Sequence, residues 1–116
     1  MKVHRIVCNI ESHNLDEMQN FYQVVFGLDV LMDHGWIQTY GSKQKMSLQL
    51  SAASEGGSGT PVPSISIEVD DLAEVQRRIE KRGDALEYGP TDEPWGVRRF
   101  YVRDPAGTLL NVLQHS

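Results

Sequence analysis

Two kinds of hydrophobic pattern alternate along the chain. Alternating apolar and polar residues are typical of strands that bury one face. They predict strands at residues 3–10, 28–32, 36–40, 46–53, 64–69, 85–88, 97–102 and 109–114. Apolar residues spaced three to four apart predict one helix in each half of the chain. These positions are Leu15, Met18, Phe21, Tyr22 and Val25 in the first helix, and Leu72, Val75 and Ile79 in the second.

The order of these elements occurs twice. Asn14 is the predicted N-cap of the first helix and Asp70-Asp71 that of the second, with Asn14 and Asp71 at corresponding positions. Gly27 and Gly83 are the predicted C-terminal stops. Each half therefore reads strand, helix and three strands. We predict a single domain with one module at residues 1–53 and another at 63–116. The polar, glycine-rich stretch at 54–62 is predicted to be a linker that does not pack.

The last strand follows a sharply defined turn. Asp104, Pro105 and Gly107 occupy the positions that a type I turn prefers, and a Gly89-Pro90 break is expected earlier in the same module. Asn111 stands in the middle of the apolar final strand. Burying its amide without partners would cost roughly 1–3 kcal/mol. One face of this strand is therefore expected to meet a polar cavity, and the other a helix.

The Asp-Pro-x-Gly turn with its final strand, together with the Leu15…Phe21-Tyr22…Gly27-Leu28 pattern, resembles the vicinal oxygen chelate superfamily. Glyoxalase I, bleomycin-resistance proteins, fosfomycin-resistance enzymes and extradiol dioxygenases are members. The resemblance implies an α+β fold in which two βαβββ modules form a curved mixed sheet around a cavity, with the helices outside. It also implies a homodimer, with modules paired either within or between chains.

The strand pattern divides into an apolar and a polar set. The apolar set is expected to pack against the helices: Ile6, Cys8, Ile10; Leu48, Leu50; Ile65, Ile67, Val69; Leu110, Val112. The opposite set is mostly polar: Arg5, Val7, Asn9; Ser47, Gln49, Ser51; Ser64, Ser66, Glu68; Leu109, Asn111, Leu113. The polar set either lines the cavity that the resemblance implies or forms a solvated outer sheet face.

Metal-dependent members of the superfamily take one ligand from each of four strands. Carried over by position, these slots fall on Arg5, Gln49, Ser64 and Asn111. Divalent cations prefer imidazole, carboxylate or thiolate donors, and none of the four residues supplies one. A register slip in the first strand would bring His4 inward in place of Arg5 but would leave three slots empty. We therefore predict no metal and no cofactor.

Other side chains are candidates for contacting a ligand. Arg5 and Glu68 either pair with each other or address a charged ligand. In apolar surroundings the pKa of Glu68 would rise, which makes it a candidate acid–base group. Resemblance to fosfomycin-resistance enzymes points Arg99 and Tyr101 inward, with surface exposure of Arg99 as the alternative. Asn9 belongs to the polar set. Trp36 and Trp95 lie near strand ends, where they serve either as ligand walls or as core residues.

Composition narrows the classes of partner. The net charge of −5 comes without a basic cluster, which argues against nucleic acid or an anionic membrane. No apolar run approaches the ~20 residues of a membrane span, and the N-terminus lacks the pattern of a signal peptide. The single cysteine, Cys8, allows no internal disulfide and fits a reducing cytoplasm. Its apolar neighbours predict that it is buried.

Two functions agree with these patterns. The first is a metal-free binding protein of the bleomycin-resistance type, which holds a small polar or anionic ligand against the polar set. The second is a glyoxalase-, epimerase- or dioxygenase-like enzyme with an atypical or absent metal site. Glu68 is the candidate catalytic carboxylate for the second. Fold alone does not decide between them.

Overall fold

The computed structural model describes residues 1–42 and 49–116 of the chain. The elements in order are β1 (Val3–Glu11), α1 (Leu15–Phe26), β2 (Asp29–Asp33), β3 (Ile37–Gly41), β4 (Gln49–Ala53), β5 (Ile65–Val69), α2 (Leu72–Arg82), β6 (Leu86–Glu93), β7 (Val97–Arg103) and β8 (Leu109–His115). The predicted βαβββ order and the α+β fold class are confirmed. Met46, Ser47 and Leu48, which begin the predicted strand at 46–53, lie outside the described residues.

The chain divides into two compact units. The N-terminal unit is Val7–Val62, and the C-terminal unit combines Met1–Ile6 with Pro63–Ser116. The first residues join the C-terminal unit through backbone pairing, since the Asp70 N–H donates to the Lys2 carbonyl at 3.1 Å.

In the N-terminal unit the strands lie in the order β2-β3-β4-β1, and β1 and β4 are parallel. α1 begins where predicted, because Asn14 Oδ1 accepts a 3.1 Å hydrogen bond from the Glu17 N–H. It ends at Gly27, whose φ of 65° is the left-handed conformation that glycine adopts most readily.

The packing of α1 corrects the prediction for β1. The Tyr22 ring stacks on Tyr40 at 5.6 Å, so α1 lies over β3 and β4. Cys8 pairs in register with Leu50, and Leu50 with Tyr40, which places Cys8 on the same side of the sheet. Yet Ile6, Cys8 and Ile10 are exposed, contrary to the prediction that they pack against a helix. The helix leaves this face of β1 uncovered, and Cys8 is therefore not the buried residue that its neighbours suggested.

In the C-terminal unit the strands lie in the order β5-β8-β7-β6, with β5 and β8 parallel. Asp71 caps α2 by accepting from the Glu74 N–H at 3.1 Å, and the helix ends at Gly83. The helix packs on an apolar core as predicted. This core is formed by Val69, Leu72, Phe100, Val102 and Val112, with Ile67, Val75, Ile79, Leu86 and Leu110 against it.

β6 does not break at Gly89-Pro90 as predicted. The strand continues to Glu93, with register shifts between Leu86 and Tyr88 and between Tyr88 and Thr91. β6 is at the end of the strand order in its unit, where a bulge and a proline are tolerated because fewer backbone groups need a partner.

Two connecting segments are ordered by local hydrogen bonds. Asp104 Oδ1 accepts from the N–H groups of Ala106 and Thr108 at 2.9 Å each, which confirms the predicted turn. In the predicted linker, the Gly56 N–H donates to the Thr60 carbonyl at 2.7 Å, and Gly56 is buried, contrary to the expectation that this stretch does not pack. Among the helices of the described residues, none combines the length and apolar character that crossing a bilayer requires.

Candidate functional site on the polar face of the C-terminal unit

The sheet of the C-terminal unit has a polar face opposite the side that packs on α2. Paired residues on neighbouring strands point to the same face. Ser66, Asn111 and Tyr101 therefore form one row across β5, β8 and β7, and Glu68, Leu113 and Arg99 form the next. We call this surface the polar face; it also includes Ser64, Leu109 and His115.

Asn111 is at the centre of the first row. Its Nδ2 donates to Ser66 Oγ at 3.1 Å, and only 8% of the residue is exposed. In the part of the chain that the structure describes, the buried Oδ1 of Asn111 accepts no hydrogen bond. An unsatisfied buried acceptor costs about 1–3 kcal/mol, so this amide is held at some expense to stability.

Three basic side chains lie close to the carboxylate of Glu68 in the second row. Arg5 Nε donates to Oε1 at 2.6 Å, and His115 Nδ1 lies 2.9 Å from Oε2. His4 Nδ1 is farther away, at 3.8 Å from the same oxygen. The structure thus brings both His4 and Arg5 to Glu68. It shows the Arg5–Glu68 ion pair, one of the two alternatives that the sequence left open.

This environment lowers the pKa of Glu68. Burial raises the pKa, but the hydrogen bonds from Arg5 and His115 together outweigh it and bring it below the usual 4.5. The expected upward shift is therefore wrong, because the surroundings of the carboxylate are cationic rather than apolar. Glu68 is ionised at neutral pH.

Arg99 lies in a closed set of aromatic and acidic side chains. Its guanidinium contacts Glu93 Oε2 at 3.3 Å and donates to the Tyr101 hydroxyl at 3.0 Å. Its central carbon lies 5.0 Å from the Trp95 ring centroid and 5.4 Å from that of Tyr88. Arg99 is 2% exposed, so the surface alternative is wrong, and Tyr101 is buried with it.

Sequence reasoning missed the acidic partner of Arg99. Glu93 ends β6 and pairs with Val97 across the β6–β7 turn, and Tyr88 also donates to it at 2.7 Å. A signal was present, because a carboxylate just before the Pro94-Trp95-Gly96 turn reaches the strand that returns from it. The pair neutralises the charge of Arg99 inside the C-terminal unit.

The remaining predicted site residues belong to the N-terminal unit. Asn9 pairs in register with Ser51, whose Oγ lies 2.7 Å from Thr39 Oγ1. Gln49 is half-buried. Trp36 is half-buried and stacks against His34, with ring centroids 6.5 Å apart.

A second polar group in the N-terminal unit was also missed. The Tyr40 hydroxyl donates to Gln38 Oε1 at 2.7 Å, and Gln38 Nε2 donates to Gln19 and Asp33 at 3.1 and 3.2 Å. Burial raises the pKa of Tyr40, and the nearby Asp33 charge raises it further. These bonds link β3 to α1 and to the end of β2.

A family model matches residues 4–112, which is nearly the whole chain. Its description is the Glyoxalase/Bleomycin resistance protein/Dioxygenase superfamily. The chain belongs to this superfamily. No curated protein matches the chain.

Solved structures share the fold of this superfamily member at low sequence identity. A glyoxalase/bleomycin resistance protein/dioxygenase superfamily member from Vibrio splendidus 12B01 is 17% identical with a TM-score of 0.70, covering 99% of this chain and 100% of its own. A protein from Legionella pneumophila described as an NAD-dependent benzaldehyde dehydrogenase is 14% identical with a TM-score of 0.77, covering 97% and 100%. A variant of Streptomyces coelicolor methylmalonyl-CoA epimerase in complex with 2-nitronate-propionyl-CoA is 18% identical with a TM-score of 0.71, covering 99% of each chain.

The residues that the resemblance assigns to the superfamily's four ligand positions do not fit a divalent metal. Arg5 brings a guanidinium that is bound to Glu68, and Ser64 brings an exposed hydroxyl. Gln49 and Asn111 bring neutral amides. Among the described residues, no three His, Cys, Asp or Glu side chains are grouped so that they could hold a metal ion. We therefore derive no chemistry through a metal at these positions.

Proposed function

We propose that this superfamily member is a metal-free binding protein for a small polar or anionic molecule, which lies against the polar face. The observation that carries the proposal is the exposure and orientation of the Arg5 side chain. Its side chain is 39% exposed, and Glu68 holds it through Nε at 2.6 Å. An oriented, accessible guanidinium is suited to a carboxylate or phosphate oxygen, because its donors lie in a fixed plane.

The charge of Arg5 is partly neutralised, and this affects which ligands the site would prefer. Glu68 already balances the guanidinium, so ligand binding gains more from directed hydrogen bonds than from net attraction. Each hydrogen bond to the charged group contributes roughly 1.5–3 kcal/mol. Leu109 and Leu113 lie on the same face, but they are only 6% and 8% exposed, so they offer a ligand little apolar contact.

A thermal-shift screen of carboxylates, phosphates and aromatic antibiotics tests the proposal. We expect Arg5→Met to weaken binding of anionic ligands about tenfold or more, which corresponds to the loss of one charge-assisted hydrogen bond. Arg98→Met is the matched control, since Arg98 is also exposed and ion-paired, to Asp92 at 3.2 Å, but alternates to the other side of β7. If only neutral, apolar ligands bind and Arg5→Met leaves them unaffected, the proposal is wrong.

Stability measurements separate binding by Arg5 from a purely structural ion pair. Arg5→Met strands Glu68, so the single change should destabilise the protein, and adding Glu68→Gln should restore stability. Under the proposal, the restored double variant still fails to bind anions. Recovery of both stability and anion binding in the double variant would assign Arg5 a structural role only.

A catalytic role remains the second candidate because Glu68 and His115 are 2.9 Å apart on the polar face. An ionised carboxylate beside an imidazole can accept and pass on a proton. The fold shared with methylmalonyl-CoA epimerases suggests a carbon acid next to a thioester as substrate. Deuterium uptake from ²H₂O at that carbon of acyl-CoA esters, followed by NMR and abolished in Glu68→Gln, would support catalysis. No uptake in the unaltered protein would exclude it.

We also propose that the protein works in a reducing compartment such as the cytoplasm. Cys8 is exposed and is the only cysteine of the chain. An exposed thiol persists where glutathione keeps it reduced, whereas oxidising compartments favour disulfides. Cell fractionation with detection of the protein in the membrane-free cytosolic extract tests this location.

A further inference from the structure

His115 ends β8 on the polar face, beside Glu68. Its Nδ1 lies 2.9 Å from Glu68 Oε2, and 51% of its side chain is exposed, against 15% for Glu68. The backbone at this point is held in place, because His115 pairs with Val97 on β7 and the Ser116 N–H donates to the Gly96 carbonyl at 3.0 Å. The imidazole therefore has a defined position on the carboxylate, and half of it is accessible to a small molecule.

The hydrogen bond to Glu68 decides which nitrogen of a neutral His115 carries the proton. Burial raises the pKa of Glu68, but the hydrogen bonds from Arg5 and His115 bring it below the usual 4.5, so the carboxylate is ionised at neutral pH. An ionised carboxylate only accepts hydrogen bonds. Nδ1 of His115 is then the donor, and Nε2 of the neutral ring is an acceptor.

Arg5 and His115 hold the two oxygens of one carboxylate. Arg5 Nε donates to Glu68 Oε1 at 2.6 Å, and His115 contacts Oε2. One small molecule can therefore reach both side chains. They make opposite demands on it, because a guanidinium only donates, whereas Nε2 of the neutral imidazole accepts. The first suits an anionic oxygen and the second a hydroxyl hydrogen.

We propose that the polar face selects anions that also carry a hydroxyl group, because His115 Nε2 accepts a hydrogen bond from the hydroxyl while Arg5 binds the anionic oxygen. This inference rests on the proposed binding function and adds the class of ligand. A plain anion of the same length lacks the donor for His115. We expect the hydroxyl to strengthen binding roughly three- to tenfold, as one ordinary hydrogen bond does.

Protonation of His115 should change this preference. Histidine side chains ordinarily gain their proton between about pH 8 and pH 5. A protonated imidazole donates through both nitrogens, and an anionic oxygen is a stronger acceptor for Nε2 than a hydroxyl. Glu68 stays ionised because its pKa lies below the usual 4.5. At acidic pH the site should therefore prefer an anion with a second anionic group.

Other charged groups near His115 bear on this pH dependence. They are Glu68 on β5, Arg5 and His4 on β1, and Arg99 on β7 with its partner Glu93. Arg99 is bound to Glu93 at 3.3 Å, so this pair adds no net charge. His4 Nδ1 lies 3.8 Å from Glu68 Oε2, which is too long for a hydrogen bond but close enough to add charge when protonated. His4 is therefore the competing source of a pH effect.

Calorimetric titration of the purified protein with three sulfonates tests the ligand class. The probes are propanesulfonate, its terminally hydroxylated derivative and propanedisulfonate. Sulfonates stay ionised throughout the range, so a change in their ranking with pH comes from the protein. We expect the hydroxylated probe to bind best at about pH 8 and the disulfonate to bind best, by about tenfold, at about pH 5. The same ranking at both pH values overturns the inference.

Variants of His115 separate a binding role from a structural one. Glutamine can donate to Glu68 and accept from a ligand but does not titrate, so His115→Gln should prefer the hydroxylated probe at both pH values. His115→Leu should lose that preference while still binding propanesulfonate through Arg5. His13→Gln is the matched control, because His13 is exposed in the loop before α1, and it should behave like the unaltered protein.

The remaining outcomes assign the failure. If His4→Gln abolishes the pH-dependent change in ranking and His115→Gln keeps it, His4 is responsible and the inference is wrong. Sulfonate binding that is lost in Arg5→Met but is indifferent to the hydroxyl overturns this inference and leaves the proposed function standing. Binding of none of the three probes overturns both.

Discussion

Two arginines on the polar face have acidic partners but different surroundings. Arg99 and Glu93 each have 3% of their side chain exposed, whereas Arg5 and Glu68 have 39% and 15%. Removing one partner of a fully enclosed pair is costly, because it leaves the other charge buried, and the enclosed groups are not accessible to a ligand. A partly accessible pair can exchange part of its hydrogen bonding for a ligand. From the degree of burial we expect changes at Arg99 to affect stability first, and we keep Arg5 as the candidate for recognition.

Arg99→Met should destabilise the protein by about 3–5 kcal/mol, because it leaves the buried carboxylate of Glu93 without its ion-pair partner. Urea unfolding measures the loss. Arg98→Met should cost less than ~1 kcal/mol, since the Arg98–Asp92 pair is 50% and 76% exposed. Adding Glu93→Gln to Arg99→Met should recover part of the loss. Equal losses of stability in the two single variants would mean that breaking the buried pair costs no more than breaking the exposed one.

The ion pair of Glu68 should make stability depend on pH. Because its pKa is lower in the folded protein, the unfolded chain binds more protons and stability rises with pH. The contribution is complete above the ordinary pKa of 4.5 and is lost as pH falls through the lower, folded value. We expect the stability difference between the unaltered protein and Glu68→Gln to shrink over this acidic range in urea titrations. Arg5→Met should show a weaker pH dependence as well, and an unchanged profile in both variants would contradict the assignment.

At the scale of elements, the two modules share the βαβββ order but differ in local structure. α1 and α2 share an Asx N-cap and a glycine stop, but only α2 presents a charged outer face. β6 accommodates Gly89 and Pro90 by register shifts instead of ending there. Gly89 has a φ of 74° and lies against the backbone of β7, so this position leaves no room for a side chain.

Gly89→Ala should be far more harmful than Gly107→Ala. Both glycines have positive φ, which costs a residue with a Cβ roughly 1–2 kcal/mol. At Gly107 a Cβ meets nothing within 4 Å, whereas at Gly89 it would lie 2.5 Å from the Arg99 carbonyl oxygen. We expect Gly89→Ala to cost about 1–3 kcal/mol more than Gly107→Ala, as measured by thermal or urea unfolding. Comparable costs would show that the backbone of β7 near Arg99 shifts easily to make room for a side chain.

At the scale of the whole molecule, the chain has the superfamily fold, but the residues that the resemblance assigns to the four ligand positions differ in chemistry from the usual metal ligands. Arg5, Gln49, Ser64 and Asn111 supply a guanidinium, two amides and a hydroxyl where metal-dependent relatives supply His or Glu. Membership of the superfamily therefore does not by itself determine the reaction.

Purified protein should contain no stoichiometric divalent metal, and adding Ni²⁺, Zn²⁺ or Mn²⁺ should not raise its melting temperature. A ligand that binds only the folded state must stabilise it, so thermal shift detects a metal site without requiring any activity. Elemental analysis checks the protein as isolated. About one metal ion per chain, lost when any of the four residues is changed, would contradict this prediction.

The sequence by itself determined the features that depend on neighbouring residues. The caps at Asn14 and Asp71, the stops at Gly27 and Gly83, and the turn at Asp104 all formed as predicted. Each rests on local hydrogen bonds or on the φ of one residue. Strand alternation also identified the core of the C-terminal unit and the polar face opposite it, because side-chain direction in a strand follows from position alone.

Only the tertiary structure decided which surfaces meet and which charges pair. Alternation placed Ile6, Cys8 and Ile10 on one face, but the position of α1 over β3 and β4 left that face exposed. The lowered pKa of Glu68 depends on Arg5 and His115, which lie on two other strands. The enclosure of Arg99 likewise required Glu93 and Tyr88 from β6. Contacts between distant residues depend on strand order, register and helix placement, and no periodicity within a single strand or helix contains that information.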